Sequence, residues 1–482
     1  MHIEIDRFDG GLRFSPPVPY LLKYLRYHAR EMKSINYRRE CVFTEQILYT
    51  SADGCVYTLP GFYTAICNLI TKNLDTFSTK DRRTALPPID WDRVKQFNLR
   101  KYQVPLVAEL LLKGEQESGV INAAGGIGKT HLAAVTYAAW NNLNTILAIP
   151  LKEVVRQTYK KFQAFFPEKH IGLIGDGVND VSNDITITTF KSLKNCSLEK
   201  CKLLIVDEMQ SAGSPTFKSC LAQLKPIRTF GFSATTDGLF NNADKLLVGM
   251  FGEDLIYFPY EDAEEVDAVV PGAVYMIKMP ESLHLNYSSI EAKLKYGIKT
   301  CSVRNELIGN VCTYIPKNWQ TIIFVDHVKD HLIPLYKYLP KDVQYLHRES
   351  SKKNVGSFAL TNKQQKEIAE SFSKNEFQFL IATDAFRAGV DIPNCRVVIQ
   401  ASGGSSKVEV LQEALRGSRI LTEEQQRTYN LSAKTHFVLI DFMDNHDHAL
   451  NGMAKKRIKY YEEQGWKINI VDHPNQINWN RY

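Results

Sequence analysis

The chain has 482 residues, of which 44% are hydrophobic and 23% are charged, and its formal net charge is +6. This length suggests roughly three domains, and the composition excludes collagen-like, disordered and low-complexity proteins. No apolar run reaches the length of about 18 residues that a membrane-spanning helix needs, so we expect a cytoplasmic protein without a membrane partner. The nine cysteines include no C-x-x-C pair, which indicates reduced thiols and argues against a disulfide framework or a zinc site.

Residues 1–85 are predicted to form a small α/β domain. The pattern favours a strand at the start, a helix from Pro19 to Met32, two more strands, a second helix and a linker from Thr76 to Asp90. The basic, tyrosine-bearing first helix could hold phosphates and stack on exposed bases of DNA. It could equally be a surface helix whose tyrosines pack inward. Under the first interpretation, the DNA contacts are Tyr20, Lys23, Tyr24 and Arg26.

From residue 86 to residue 270, apolar strands alternate with helices, which predicts a parallel sheet. Five strands are expected, at Val120–Ile121, Thr145–Ile149, Ile185–Thr188, Leu203–Val206 and Thr229–Phe232. Ligands of such sheets bind at the carboxyl ends of the strands, so functional residues should follow these strands. The glycine-rich stretch Gly172 to Gly177 lacks the helix that a dinucleotide loop needs, and we interpret it as a turn.

The stretch Ala123 to Thr130, with sequence AAGGIGKT, follows the first of these strands and precedes a helix-like segment. Glycines such as Gly126 and Gly128 let backbone N–H groups approach phosphate closely, and the helix N-terminus adds the positive end of its dipole. In this pattern Lys129 binds the β- and γ-phosphates, and the Thr130 hydroxyl binds Mg²⁺. The sequence therefore predicts a nucleoside triphosphate site.

Two acids, Asp207 and Glu208, follow the fourth predicted strand. A carboxylate at such a strand end can hold Mg²⁺, and its neighbour can orient an attacking water. An Asp-Glu pair alone is common and usually marks a plain turn. Its position in the same predicted sheet as the phosphate loop favours the catalytic interpretation.

A second α/β series runs from residue 271 to residue 482. Its expected strands are Thr321–Val325, Val343–Leu346, Phe379–Ala382, Arg396–Ile399 and Phe437–Ile440. This half has no phosphate loop, but Gln412, Arg416 and Arg419 are spaced to share one face of a predicted helix. The two arginines could reach across a cleft to a nucleotide bound by the first half, or they could form a solvated helix face. The cluster from Asp441 to His448 is expected to be a loop after a strand rather than a metal site.

Taken together, these motifs resemble those of superfamily 2 helicases, over roughly residues 95–465. The matching segments, in chain order, are RKYQ at 100–103, AAGGIGKT at 123–130, ILAIPLKEVVRQ at 146–157, TTFKSL at 188–193, DEMQ at 207–210, GFSAT at 231–235, residues 321–331, ATDAFRAGVDIP at 382–393 and QEALRGSR at 412–419. The resemblance implies an α/β protein with two tandem RecA-like parallel-sheet domains after the small N-terminal domain. It also implies hydrolysis of ATP with Mg²⁺ and binding of nucleic acid.

The resemblance further implies roles for individual residues. For hydrolysis these are Lys129, Asp207, Glu208, Gln412, Arg416 and Arg419, with Thr130 and Asp207 holding Mg²⁺. ATP would be bound by Arg100, Tyr102, Gln103, Gly126, Gly128, Lys129, Thr130, Gly389 and Asp391. Nucleic acid would be contacted by Pro150, Gln157, Thr188, Thr189, Phe190 and Thr383. Hydrolysis would be coupled to movement through Gln210, Ser233 and Thr235.

Two other stretches, Asp53 to Gly61 and Val248 to Gly252, are similar to UvsW-type phage branch-migration helicases, and XPB-like and RecG-like motors are more distant relatives by pattern. This finer resemblance implies a DNA motor that unwinds or branch-migrates forked and junction DNA, both single- and double-stranded. We expect the protein to be a monomer. If the chain is encoded by a phage, the host cytoplasm is its expected location. Gln210 stands where histidine is usual in this type, and Leu415 replaces a usual glycine, so the coupling details should differ.

Three alternatives remain open. An RNA helicase could carry the same motor, because backbone contacts tolerate either polymer unless a 2'-OH is read. The chain could also be a nucleic-acid scaffold whose ATP site only regulates binding. A motor subunit of a restriction complex would need a partner chain.

Overall fold

The computed structural model describes residues 1–35, 38–175, 177–220, 223–234, 244–280, 285–383, 392 and 394–482. For residues 30–35, 38–41 and 153 the description covers the backbone alone. The chain divides into two compact units, Met1–Pro259 and Tyr260–Tyr482. Among the described residues, no helix has both the length and the apolar character needed to cross a membrane.

The first unit begins with a five-stranded sheet whose order is β5-β6-β2-β1-β7. The elements are β1 (His2–Phe8), β2 (Gly11–Ser15), α1 (Pro19–Tyr24), β3 (Arg26–Ile35), β4 (Arg38–Ile47), β5 (Tyr49–Ala52), β6 (Cys55–Thr58), α2 (Tyr63–Lys72) and β7 (Thr76–Asp81). Strands β3 and β4 form a separate antiparallel pair. Ile66 and Ile70 of α2 are buried in a core that includes Ile3 and Phe14 of the sheet.

Two predictions for this region are wrong. The helix predicted from Pro19 to Met32 ends at Tyr24, because the chain from Arg26 onward pairs with β4 and becomes a strand. The predicted linker begins with a strand instead, since residues Thr76–Asp81 pair in parallel with β1. In both places tertiary pairing overrides a local pattern that favours helix or loop.

The rest of the first unit is an eight-stranded sheet of order β11-β10-β12-β9-β13-β14-β8-β15. Its elements are α3 (Trp91–Val94), α4 (Gln103–Gln116), β8 (Gly119–Ala123), α5 (Lys129–Ala139), β9 (Thr145–Ile149), α6 (Lys152–Phe165), β10 (Ile171–Gly175), β11 (Val178–Asp180), β12 (Ile185–Thr189), β13 (Leu203–Asp207), α7 (Pro215–Lys218), β14 (Arg228–Ser233), α8 (Asp244–Phe251) and β15 (Asp254–Phe258). Apart from β11, which is antiparallel to β10, the strands run parallel.

The five strands predicted between residues 86 and 270 are confirmed as β8, β9, β12, β13 and β14. The predicted turn from Gly172 to Gly177 is wrong, because most of it is the buried strand β10. Strand β14 lies between β13 and β8, so the ends of β8, β13 and β14 are neighbours at one edge of the sheet. The phosphate loop and the acidic pair follow two of these three ends.

The second unit contains a seven-stranded sheet of order β18-β19-β17-β20-β21-β16-β22, and its strands are parallel throughout. Its elements are α9 (Tyr260–Glu265), β16 (Gly272–Lys278), α10 (Ile290–Lys293), α11 (Ser302–Tyr314), β17 (Gln320–Phe324), α12 (Ile333–Tyr336), β18 (Gln344–Leu346), α13 (Lys352–Val355), α14 (Asn362–Ser373), β19 (Phe379–Ala382), β20 (Cys395–Gln400), α15 (Lys407–Ala414), α16 (Glu423–Tyr429), β21 (Phe437–Met443), α17 (His448–Glu462) and β22 (Lys467–Val471). The five strands predicted after residue 271 are confirmed as β17 to β21.

A buried ion network replaces part of the loop that was expected from Asp441 to His448. Asp441 lies within β21, and its carboxylate accepts from the Arg457 guanidinium at 2.8 Å. Asp444 accepts from Arg304 at 2.9 Å, and all four side chains are fully buried. These acids are therefore structural, since buried charges persist only when they are paired and hydrogen-bonded.

Candidate active site

The phosphate loop joins the end of β8 to the start of α5, as its sequence predicts. Gly126 and Gly128 have φ values of 95° and 92°, in the left-handed region that glycine adopts without strain. The Lys129 ammonium donates to the carbonyl oxygens of Ala123 at 3.0 Å and Ala124 at 3.3 Å, so it lies folded over the loop. The loop thus presents backbone N–H groups, a lysine and a helix N-terminus in one place, which is the arrangement that binds phosphates.

Residues of the RKYQ segment brace this loop. The Gln103 amide donates to the Ile127 carbonyl at 2.8 Å and accepts from the Arg100 N–H at 2.9 Å. The Tyr102 hydroxyl donates to the same Ile127 carbonyl at 3.3 Å. A β-carbon added at Gly128 would lie 2.7 Å from the Gln103 amide nitrogen, a contact that a shift of the Gln103 side chain would relieve, so the left-handed φ of 92° is what favours glycine here. Sequence reasoning expected these residues to bind ATP and missed their contact with the loop.

Thr130 and His131 stand in the first turn of α5. The Thr130 side chain is half-buried, and its hydroxyl is on the turn that the phosphates would face. His131 packs edge-on against Phe97 and Phe165, at centroid distances of 5.4 and 5.2 Å. Burial and the nearby positive charges of Arg100 and other basic groups lower the pKa of His131, which keeps its ring neutral. His131 therefore supports the loop by packing, a role that no sequence motif indicated.

The acidic pair begins at the last residue of β13. The Glu208 N–H donates to the Asp207 carboxylate at 3.0 Å, and Glu208 itself has left-handed backbone angles, with φ and ψ both 50°. Loss of hydration, and then the negative charge of Glu208, raise the pKa of Asp207, while the Lys129 ammonium opposes this shift. Lys129 and Asp207 are therefore close enough to interact, and a cation bound beside Asp207 would stabilise its charged form.

A hydrogen-bond chain connects the acidic pair to the end of β14. The Gln210 amide nitrogen donates to the Glu208 carboxylate at 2.5 Å, and the Ser233 hydroxyl donates to the Gln210 amide oxygen at 2.7 Å. Gln210 is 6% exposed and Ser233 is fully buried. Through these two hydrogen bonds, a movement of the Glu208 side chain would shift Gln210 and then Ser233 at the end of β14. Thr235, the third residue assigned to coupling, lies outside the described residues.

The prediction that Gln412, Arg416 and Arg419 share one helix of the second unit is wrong in part. Gln412 lies on α15, but that helix ends at Ala414, so Arg416 and Arg419 lie in and after the following turn. Gly417 in this turn packs closely against the Phe437 ring, because a β-carbon at that position would lie 2.3 Å from the ring. The Arg419 carbonyl accepts from Lys434 at 2.9 Å. Gly389 and Asp391, predicted to bind ATP, are outside the described residues.

Several predicted nucleic-acid contacts have side chains that point into the protein. Thr188 donates to the Ile174 carbonyl at 3.1 Å, and Phe190 packs against Phe217 with a centroid distance of 4.9 Å. Thr189 and Thr383 are also buried, whereas Pro150 is half-buried and Gln157 is exposed. Only backbone groups of the TTF segment could therefore face a nucleic acid in this conformation.

The tyrosines of the N-terminal region also pack inward. Tyr20 donates to Asp75 at 2.9 Å, and burial with this contact raises the pKa of Tyr20 to about 12. Tyr24 packs edge-on against Phe62, and the Lys245 ammonium lies 4.0 Å from its ring centroid. Lys23 and Arg26 are exposed. Tyr20 and Tyr24 are thus half-buried and held by contacts within the protein, and their DNA-binding role stays a prediction.

Comparison with known proteins gives two domain matches in the expected order. Residues 96–238 match the family of the type III restriction enzyme res subunit, and residues 304–421 match the helicase conserved C-terminal domain. A protein of Sulfolobus islandicus filamentous virus, provisionally named helicase 22, is 22% identical over an alignment of 479 positions that covers 90% of this chain and 79% of that protein. The DNA 3'-5' helicase XPB of Kineococcus radiotolerans is 22% identical over an alignment of 392 positions that covers 78% of this chain and 64% of that protein.

Among solved structures, S. cerevisiae Dbp5 bound to RNA and ADP BeF3 matches with a TM-score of 0.53 at 19% identity, over 80% of this chain and 94% of that one. At this identity the likeness concerns the fold alone. It agrees with the two parallel sheets described above. Two domain matches in order, one of them to the helicase conserved C-terminal domain, together with a phosphate loop and its acidic pair, place the chain in superfamily 2, as an ATP-hydrolysing helicase.

Proposed function

We propose that this helicase is a DNA-stimulated motor that acts as a monomer and unwinds or branch-migrates forked and junction DNA. The observation that carries the motor is the hydrogen-bond chain Glu208–Gln210–Ser233, which connects the hydrolytic acid to a neighbouring strand of the sheet. The choice of DNA is supported by the XPB relative, whose name is that of a DNA helicase. Branch migration is supported by the UvsW-like stretches at 53–61 and 248–252.

Hydrolysis is assigned to residues of the first unit. Lys129 would neutralise charge on the β- and γ-phosphates, and Glu208 would orient the attacking water and accept its proton. The Thr130 hydroxyl and the Asp207 carboxylate are hard oxygen donors that suit Mg²⁺, and the raised pKa of Asp207 marks a carboxylate that a cation would stabilise. When bound, Mg²⁺ would supply further charge neutralisation of the phosphates. Gln412, Arg416 and Arg419 are assigned to ATP hydrolysis on the family resemblance, the arginines adding positive charge.

The N-terminal region, residues 1–85, is proposed to contact branched DNA. Of the four predicted contacts in this region, Lys23 and Arg26 are exposed, whereas Tyr20 and Tyr24 are half-buried. Contacts of this kind are made with phosphates and give little sequence preference.

The proposal is tested by ATP turnover and strand separation over a panel of single-stranded DNA, forks, four-way junctions and RNA duplexes. We expect DNA to stimulate turnover and forks or junctions to be processed fastest. Greater stimulation by RNA would contradict the assignment of DNA and favour the RNA helicase. Turnover that no nucleic acid stimulates would contradict the motor itself and favour the regulated scaffold.

A further inference from the structure

The second unit carries a stacked pair of tyrosines on its surface. The ring centroids of Tyr287 and Tyr296 lie 4.7 Å apart, and 18° separates the ring planes. The two residues are 41% and 43% exposed. Two large rings held side by side in contact with water form a preorganised aromatic surface that the protein core does not use. We call this pair the tyrosine platform.

The platform is anchored beside the carboxyl ends of the second parallel sheet. Tyr296 lies in a π-helical segment, whose Lys299 pairs with Asp326 at 3.1 Å just after β17. The Gly297 carbonyl in the same segment is 3.1 Å from a ring nitrogen of His446, just after β21. Two strand ends therefore fix the position of the segment.

A third strand end contributes through the loop after β20. A β-carbon at Gly403 would lie 2.8 Å from the Ile298 side chain, so this loop packs directly on the platform's segment. Ligands of parallel sheets bind beyond the carboxyl ends of the strands. Segments of π-helix are also frequent at functional sites, because the widened turn re-aims side chains. The location thus favours a ligand-contacting role for the two rings.

The charges around the platform favour an anionic polymer. The Lys295 ammonium lies 5.5 Å from the Tyr296 ring centroid, and the Lys295 side chain is exposed. Further exposed basic residues follow β17 and β18, namely His327, Lys329, Arg348, Lys352 and Lys353. Among the described residues, exposed acids on this edge include Glu291, Asp330 and Asp472, but in the loops after β17 and β18 the exposed basic residues outnumber the one exposed acid, Asp330. An aromatic face with cations beside it suits a chain that offers bases and phosphates together.

We propose that the tyrosine platform stacks on bases of single-stranded nucleic acid while Lys295 contacts an adjacent phosphate. A duplex keeps its base faces stacked inside, so an unpaired strand is the form that can use the rings. Stacking of this kind tolerates any sequence, because every base has a π-face. The inference rests on the proposed function, since it needs a motor that holds a separated strand.

The test compares binding of an oligothymidylate with binding of an abasic oligonucleotide of the same length, by fluorescence anisotropy. Wild type should prefer the strand with bases. Replacing both rings, Tyr287→Ala with Tyr296→Ala, should weaken oligothymidylate binding about tenfold, within the range known for loss of stacked aromatics, and should leave abasic binding unchanged. Basal ATP turnover should stay at the wild-type level, which shows that the fold is intact.

Two single variants serve as controls. Tyr296→Phe keeps the ring and should bind like wild type. Tyr338→Ala removes a tyrosine of similar exposure, 39%, that precedes the amino-terminal end of β18, and it should have no effect. If the double variant binds oligothymidylate as wild type does and its ATP turnover is still stimulated by DNA, the proposed stacking role of the platform is wrong. The proposed motor function is then unaffected. Wild type that binds neither oligonucleotide and is stimulated by no nucleic acid would overturn the motor as well.

Discussion

The position of the Glu208 carboxylate is set by the backbone conformation of Glu208 and by a hydrogen bond from Gln210. The Glu208 backbone adopts a left-handed conformation, which costs a non-glycine residue about 1–3 kcal/mol and persists only where surrounding contacts impose it. The Gln210 amide supplies one such contact, and Ser233 in turn orients the amide. The side chain that would position the attacking water therefore depends on Ser233 at the end of the neighbouring strand β14.

This dependence gives a prediction at the residue scale. Gln210→Ala should reduce DNA unwinding about tenfold more than basal ATP turnover, since a lost hydrogen bond of about 1–1.5 kcal/mol is transmitted to β14. Ser233→Ala should have the same effect, because it breaks the same chain. The measurement is the ratio of unwinding rate to ATP turnover for each variant.

The double variant is the control for this prediction. Residues that act through one chain show strong non-additivity, so Gln210→Ala combined with Ser233→Ala should be no worse than either change alone. Fully additive losses of unwinding rate would mean that Gln210 and Ser233 act independently, which would contradict their proposed coupling role.

Sequence reasoning reached some of these residues and not their contacts. The roles of Lys129, Asp207 and Glu208 follow from chemistry at fixed positions in a loop or strand end. Gln210 and Ser233 were assigned to coupling by resemblance, and their direct hydrogen bond depends on the adjacency of β13 and β14, which no local pattern encodes. Burial of Thr188 likewise became evident only from the sheet.

At the scale of elements, the two stretches that suggested the UvsW-type resemblance pack against each other. A β-carbon at Gly61 would lie 2.1 Å from the Val248 carbonyl and 2.4 Å from the Gly252 nitrogen, both at the end of α8. A β-carbon at Gly249 would lie 2.6 Å from the Phe62 ring. The N-terminal sheet is thus joined to the eight-stranded sheet's domain by a backbone contact that only glycine permits.

We therefore predict that Gly61→Ala lowers stability. Contacts this short against backbone force the two elements apart, at a cost of about 1–3 kcal/mol, which corresponds to a fall in Tm of a few degrees. Scanning calorimetry measures the shift. Gly452→Ala is the matched control, because a β-carbon there meets nothing within 4 Å on the exposed side of α17. A Tm for Gly61→Ala equal to that of wild type would show that the contact does not hold the elements together.

Elements were predictable where periodicity and burial agreed. The apolar runs of β13 and β20 are buried along most of their length, and their sequences indicate strands for that reason. The segment from Pro19 onward has helical spacing, yet its second part becomes β3 because β4 offers a hydrogen-bonding partner. The helix expected to carry both Arg416 and Arg419 ends at Ala414, and the turn that follows packs Gly417 against the Phe437 ring, a contact between distant parts of the chain that helical spacing cannot predict.

At the scale of the whole molecule, alternation of strands and helices was enough to predict two parallel sheets in tandem. The strand orders were not predictable, because they are set by long-range packing between segments far apart in the chain. The eight-stranded sheet of the first unit brings the ends of β8, β13 and β14 together, and this adjacency joins three separate motifs into one site. The second sheet gathers the ends of β17, β20 and β21 beneath the tyrosine platform.

The central claim is that ATP hydrolysed by Lys129 and Glu208, with Arg419 contributing charge, drives this motor. Steady-state ATP turnover in the presence of DNA tests it most directly, for Lys129→Ala, Glu208→Gln and Arg419→Ala. We expect each variant to lose turnover, with Arg419→Ala losing about 10³-fold or more as for other arginine fingers, while DNA binding is retained. Near-normal turnover by all three variants would contradict the account.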